Sequence, residues 1–121
     1  MSLHESAEMY LETIYRLSQT QPAVRSIDVA EALNYSRPSV SRAVGLLKQA
    51  GLLETDSDGF LHLTPTGVST AAGIYERHTV ITNALVALGV DPETAAEDAC
   101  KIEHVISEKT LNAIKAHMNR A

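Results

Sequence analysis

Apolar residues recur at helical spacing through most of this chain, and the period changes once. Tyr10, Leu11, Ile14 and Leu17 share one side of a helix read over 6–20, with Ser6 as its N-cap. Met9 and Glu12 lie three apart on an adjoining face. A connector, QTQPAV, leads to a short helix, SIDVAEAL, capped by Ser26, with Ile27, Val29, Ala30 and Leu33 as its apolar contacts. After the turn NYS, the run RPSVSRAVGLLKQAG reads as a second helix. Ser36 caps it, Pro38 falls in its first turn, Val40, Val44 and Leu47 form its buried stripe, and Gly51 stops it. Two short helices joined by so brief a turn are the pattern of a helix-turn-helix. The period then shortens. In LLETDSDGFLHL two apolar runs flank a polar turn closed by Asp58-Gly59, which predicts a hairpin. A hairpin directly behind a reading helix is a wing.

Thr64 and Pro65 open a long helix as cap and first residue. Its apolar positions, Val68, Ala71, Ala72, Ile74, Tyr75, Ile81, Ala84, Leu85 and Leu88, cover more than one face. Such a helix has either two neighbours in its own chain or a partner in a dimer. Gly89 ends it. Asp91 and Pro92 start another helix through VDPETAAEDACKIEHVI, and Ser107 caps a last one with Leu111, Ile114 and Met118 as its stripe. The expected fold class is mainly α with a small β-hairpin wing. A winged helix-turn-helix over 1–63 precedes a helical domain over 64–121.

Composition narrows the function. The 121 residues are 45% hydrophobic and 21% charged, an ordinary globular mixture with no apolar run long enough to cross a bilayer. No secretory leader is evident, and one cysteine cannot form an internal disulfide, so a reducing cytoplasm is expected. The net charge of −5 speaks against nucleic acid, but its distribution does not. Residues 22–50 carry +2, between acidic flanks of −2 over 1–21 and −5 over 51–121. That pattern suits a DNA-reading element joined to a cation-binding one.

The candidate chemistry centres on ACKIEH. On a continuous helix, Cys100, Glu103 and His104 occupy i, i+3 and i+4, with Cβ atoms roughly 5–6 Å apart and within reach of one ion. Ordinary readings compete. A lone helical cysteine is commonly a small core residue, Glu103-His104 can be solvated surface, and a helical methionine such as Met9 is usually core. His78, Met9 and Glu12 are the other ligand-type side chains available, and spacing does not say whether they approach.

The pieces AEMYLETIYRL, SRPSVSRAV, LTPTG, ERH and DACKIEHVIS, in this order, resemble the diphtheria toxin repressor family of iron- and manganese-dependent transcription regulators. The resemblance covers about residues 5–120. It implies no enzymatic activity, a metal-binding and dimerisation role for 64–121, and a metal site shared with the first helix. Met9, Cys100, Glu103 and His104 match the primary activating site of the iron-type members. Glu12 and His78 match ligands of the two-metal site of manganese-type members, where the places of Met9 and Cys100 normally hold carboxylates. The iron-type ancillary site is incomplete, because two of its places hold Thr82 and Ala96. The expected organisation is the short two-domain form of the manganese-type regulators, without the SH3-like domain typical of the iron type.

Sulfur in place of carboxylate shifts preference away from Mn(II), the weakest binder of the divalent series. Fe(II) is therefore the expected activating ion, with Mn(II) the alternative and Co(II), Ni(II) or Zn(II) as in-vitro substitutes. The expected partners are a palindromic double-stranded DNA operator and a second copy of the chain, with no membrane and no small organic substrate. Ser36, Arg37, Pro38, Ser39 and Arg42 are expected at base edges, and Ser41 and Lys48 at phosphate or the groove edge. Two rivals are a small enzyme built on Cys100, Glu103 and His104, and a winged-helix regulator sensing redox or an organic ligand. The first leaves the helix-turn-helix unexplained, and a chelator separates the second.

Overall fold

A computed structural model describes residues 5–120. The elements in chain order are α1 (Glu5–Thr20), α2 (Ser26–Leu33), α3 (Arg37–Gln49), β1 (Leu53–Thr55), β2 (Leu61–Leu63), α4 (Pro65–Ala87), α5 (Pro92–Ile102) and α6 (Glu108–Arg120). They divide into two compact units, the first ending at Ala72 and the second beginning at Gly73. The division falls inside α4, nine residues beyond the 63/64 boundary read from sequence.

The first unit is a winged helix-turn-helix. Tyr10, Leu11 and Ile14 of α1, Val29 and Ala30 of α2, and Val40, Ala43, Val44 and Leu47 of α3 are buried. Burying each of the larger of these side chains contributes about 1.5–3 kcal/mol. Ile27, expected to pack, is 36% exposed instead. Caps set the helix boundaries. The Ser36 Oγ accepts the Ser39 N–H at 3.3 Å, and Gly51, at φ +77°, closes α3. At α2 the expected cap is corrected. Ser26 is the first helical residue, Arg25 is the N-cap, and the Asp28 carboxylate reaches back to accept the Arg25 N–H at 2.8 Å. The third-position carboxylate satisfies the N-cap residue's own N–H, the reciprocal half of a capping box. Ser6 likewise lies within α1, which already includes Glu5.

The wing is an antiparallel pair, Leu53↔Leu63, Glu54↔His62 and Thr55↔Leu61. Asp56 organises its loop. One carboxylate oxygen accepts the N–H groups of Asp58 and Phe60 at 2.9 and 3.0 Å, and the other meets His62 Nε2 at 2.7 Å. The His62 contact, helped by the two amides, holds the Asp56 carboxyl below its usual range. Gly59, at φ +85°, supplies the left-handed residue the turn needs. The wing is tied back to the connector before α2, because Leu61 donates to the Val24 carbonyl at 2.8 Å and Arg25 covers the Phe60 ring at 4.5 Å. Behind it, the Thr64 Oγ1 caps α4 through the Gly67 N–H at 3.0 Å and donates to the Gly51 carbonyl at 2.7 Å. This brings the first turn of α4 so close to Leu52 that a Cβ on Gly67 would lie 2.0 Å from the Leu52 carbonyl oxygen.

In the second unit Ile81 of α4, Ala99 of α5 and Leu111 of α6 form the core, with Val80, Leu85, Ile102 and Ile106 packed against it. The Asp91 carboxylate caps α5 by accepting the Thr94 N–H at 3.0 Å, and this bond holds its carboxyl below the usual range. Ser107 caps α6 through the Thr110 N–H at 3.1 Å. An apolar groove of about 640 Å³ opens beside this core, lined by Leu85, Leu88, Ile102, Ile114 and Met118 among others. Leu88 is 81% exposed there. Among the described residues, no helix is long and apolar enough to cross a membrane.

Candidate metal centre and nucleic-acid face

The helix expected to carry ACKIEH onward ends earlier. The last residue of α5 is Ile102, Glu103 is its C-cap, and His104 lies in the following turn. Glu103 keeps helical torsions (φ −59°, ψ −24°) and donates its N–H to the Ala99 carbonyl at 2.9 Å. His104 is therefore released from the helix face while Glu103 stays on it. The reading of this pair as solvated surface is overturned, since the two side chains are 0% and 2% exposed.

Glu103 sits between two imidazoles. His78 Nδ1, on α4, is 2.9 Å from Oε2, and His104 Nε2 is 3.3 Å from Oε1. The Thr82 Oγ1 donates to the His78 carbonyl at 2.7 Å, so its hydroxyl is spent on the helix backbone. Tyr75 stacks near the His78 ring, with centroids 6.3 Å apart. Cys100, three residues before Glu103, is half-buried. A carboxylate in full burial is costly without compensating charge, and imidazole, carboxylate and thiol together are a donor set for a divalent transition ion.

In the first unit, Glu12 is 3% exposed and its Oε2 accepts from Arg16 Nη2 at 3.1 Å. Met9, one turn earlier, is half-buried. Its sulfur accepts the Tyr35 hydroxyl at 3.6 Å, within range for a large thioether acceptor. Tyr35 was not singled out by sequence, and a contact across 26 positions leaves no periodic trace. Arg16, by contrast, stands at i+4 from Glu12, a spacing that sequence does make readable.

The residues expected to read DNA lie on α3 or at its cap. Arg37, Pro38, Ser41, Arg42 and Lys48 are exposed on α3, opposite its buried stripe, and the helix carries no acidic residue. Ser36 and Ser39 are partly committed to the cap, with their hydroxyls 2.9 Å apart, and Arg42 reaches the Ser39 hydroxyl at 3.5 Å.

Comparison with known proteins covers both units. Residues 2–61 match the iron dependent repressor N-terminal DNA binding domain, and residues 64–121 match the iron dependent repressor metal binding and dimerisation domain. The transcriptional regulator MntR of Escherichia coli is 36% identical over 111 residues, 92% of this chain and 72% of that protein. The diphtheria toxin repressor of Corynebacterium diphtheriae is 34% identical over 108 residues, 88% of this chain and 48% of that protein, so this chain spans about half its length. Among solved structures, T. acidophilum IdeR superposes with a TM-score of 0.81 at 26% identity, covering 98% of this chain and 55% of that one. A manganese-dependent transcriptional repressor in complex with manganese gives 0.86 at 26% identity, covering 93% and 52%. With the two domain models together matching nearly the whole chain, and a relative of this identity covered over most of its length, the chain belongs to the iron dependent repressor family of transcriptional regulators.

Proposed function

We propose that this protein is a metal-activated, DNA-binding repressor serving metal-ion homeostasis, responsive first to Fe(II) and acting on a palindromic operator as a homodimer. The observation that carries the reading is the fully buried Glu103 carboxylate between His78 and His104, in a chain that also presents a basic helix face. Family membership supports it, as do the iron-dependent description of the family and the manganese-dependent repressor among the solved structures.

The proposed ligand set is Met9, Glu12, His78, Cys100, Glu103 and His104, drawn from both units. A bound divalent ion supplies positive charge and a fixed coordination geometry. Glu103, contacting His78 Nδ1, fixes that ring and leaves Nε2 as its donor atom. Cys100 would bind as its thiolate, and Met9 would add a second soft donor. These two sulfurs are the reason to place Fe(II) before Mn(II). The buried Glu12 carboxylate and the manganese-dependent repressor among the solved structures support Mn(II) as the second reading.

In this reading a bound ion would restrain the reading helices, so that two copies of α3 match half-sites one helical turn or a multiple apart. Without that restraint only a fraction of dimers is competent, and apparent DNA affinity falls by the same fraction. Linkage then requires DNA to tighten metal binding by an equal factor. Arg37 and Arg42 would read guanine edges, Pro38 a thymine methyl, Ser36 and Ser39 base edges, and Ser41 and Lys48 the backbone.

Anaerobic titration of operator affinity with Fe(II) and with Mn(II) tests the reading. Specific binding should vanish in EDTA and return at lower Fe(II) than Mn(II). Binding that survives EDTA removes the metal from the mechanism. Full activation by micromolar Mn(II) with no advantage for Fe(II) reverses the ion assignment.

A further inference from the structure

Tyr35 joins two parts of the first unit that have no reason in sequence to be linked. It lies in the turn between α2 and α3, after Asn34, which is left-handed at φ 57°, and before Ser36, the cap of the reading helix. Its backbone is pinned, with its N–H donating to the Ala30 carbonyl at 3.0 Å. Its side chain reaches back to α1. The ring meets Tyr10 edge-on at 5.8 Å and 61°, and the hydroxyl donates to Met9 Sδ at 3.6 Å. Tyr10 is 7% exposed, so the ring has a fixed platform, while Tyr35 itself is 45% exposed.

We infer that Tyr35 is a positioning residue that orients the Met9 thioether for metal and ties the ligand to the DNA-reading turn; this rests on Met9 being a ligand. A methionine has three rotatable side-chain bonds and loses substantial freedom when its sulfur is held at one point. A divalent sulfur has two lone pairs. One accepts the Tyr35 hydroxyl, and the other remains to bind the ion. The hydrogen bond therefore meets part of the ordering cost before metal arrives, as partners of ligating side chains do elsewhere. The same contact works in reverse. A turn ordered by DNA at Ser36 and Arg37 holds Tyr35, and Tyr35 holds the sulfur.

Titration with Co(II) alone, read by its d–d absorption, tests this in four proteins: unsubstituted, Tyr35→Phe, Met9→Leu and the double variant. Phenylalanine keeps the ring on Tyr10, so the metal-free thermal midpoint should not move. Tyr35→Phe should weaken Co(II) binding about tenfold, the lower end for partners of ligands. It should have no further effect once Met9 is leucine. The factor by which metal raises operator affinity should fall in parallel. An unchanged Co(II) affinity in Tyr35→Phe, while Met9→Leu weakens binding, overturns the inference and leaves the ligand set standing. An equal loss in both backgrounds also overturns it, because the hydroxyl would then act elsewhere. No effect of Met9→Leu removes Met9 from the ligand set, and the inference falls with it.

Discussion

Glu103 shows how one side chain can matter in two ways. Its carboxylate is fully buried and meets both His78 and His104, so truncation leaves two imidazoles facing a void. Glu103→Ala should cost about 1–3 kcal/mol of stability, the range for leaving a buried polar group without its partner, and abolish metal-dependent operator binding. Chemical denaturation and gel-shift titration check the two parts, and a folded variant still activated by metal would remove Glu103 from the site. Cys100, as a proposed ligand, bears on ion preference. Cys100→Asp should bring the Mn(II) and Fe(II) affinities closer together by strengthening Mn(II), because a hard carboxylate replaces a soft thiolate. Competition titration measures the ratio, and an unmoved ratio argues that Cys100 does not touch the ion. Gly67 matters for backbone space alone. Its absent Cβ lets α4 approach Leu52, so Gly67→Ala should cost about 3 kcal/mol or more and lower the melting temperature by roughly 10 °C or more.

Among the elements, the wing departs from the usual expectation. Glu54, Asp56 and Asp58 give it three carboxylates, where phosphate would favour lysine. Asp56 is spent on its own loop, whereas Asp58 contributes only its backbone N–H there. Asp58→Lys should raise operator affinity and steepen its dependence on log salt by about one unit, provided the wing lies near the backbone. An unchanged slope in fluorescence anisotropy would place the wing away from phosphate. The Asp56 carboxyl is held low when folded, so its contribution is present above the ordinary carboxylate range and is lost as pH falls through the folded value. Asp56→Ala should therefore differ most from the unsubstituted protein near neutral pH, and the two should converge in strong acid. Denaturation midpoints measured across pH would show this, and a gap that persists unchanged in acid would refute it.

At the level of the whole molecule, the second unit presents more apolar surface than its own core uses. Leu88 lines a groove with Ile114 and Met118 and is 81% exposed. A second copy of the chain is the proposed cover. Leu88→Glu, at so exposed a position, should leave the fold intact, shift sedimentation toward monomer and weaken palindrome binding much more than half-site binding. A dimer that survives this change would move the interface elsewhere on the unit.

Much of this architecture was legible in residue order because it depends on local signals. Ser36, Asp91 and Ser107 cap their helices through their own side chains, Gly51 and Gly59 adopt positive φ, and α3 separates into a buried and a basic face. Each depends on neighbours within a few positions, where spacing and backbone stereochemistry suffice. The family resemblance likewise rests on motifs in order. Other features depend on distance along the chain. The end of α5 at Ile102, the burial of Glu103 between His78 and His104, the Tyr35 hydroxyl on Met9 and the approach of Gly67 to Leu52 are all set by packing. Periodicity shows which face of a helix is apolar, but not which distant side chain meets it. Only tertiary packing therefore decides whether a carboxylate three residues after a cysteine lies in solvent or in a buried cluster of metal-type donors.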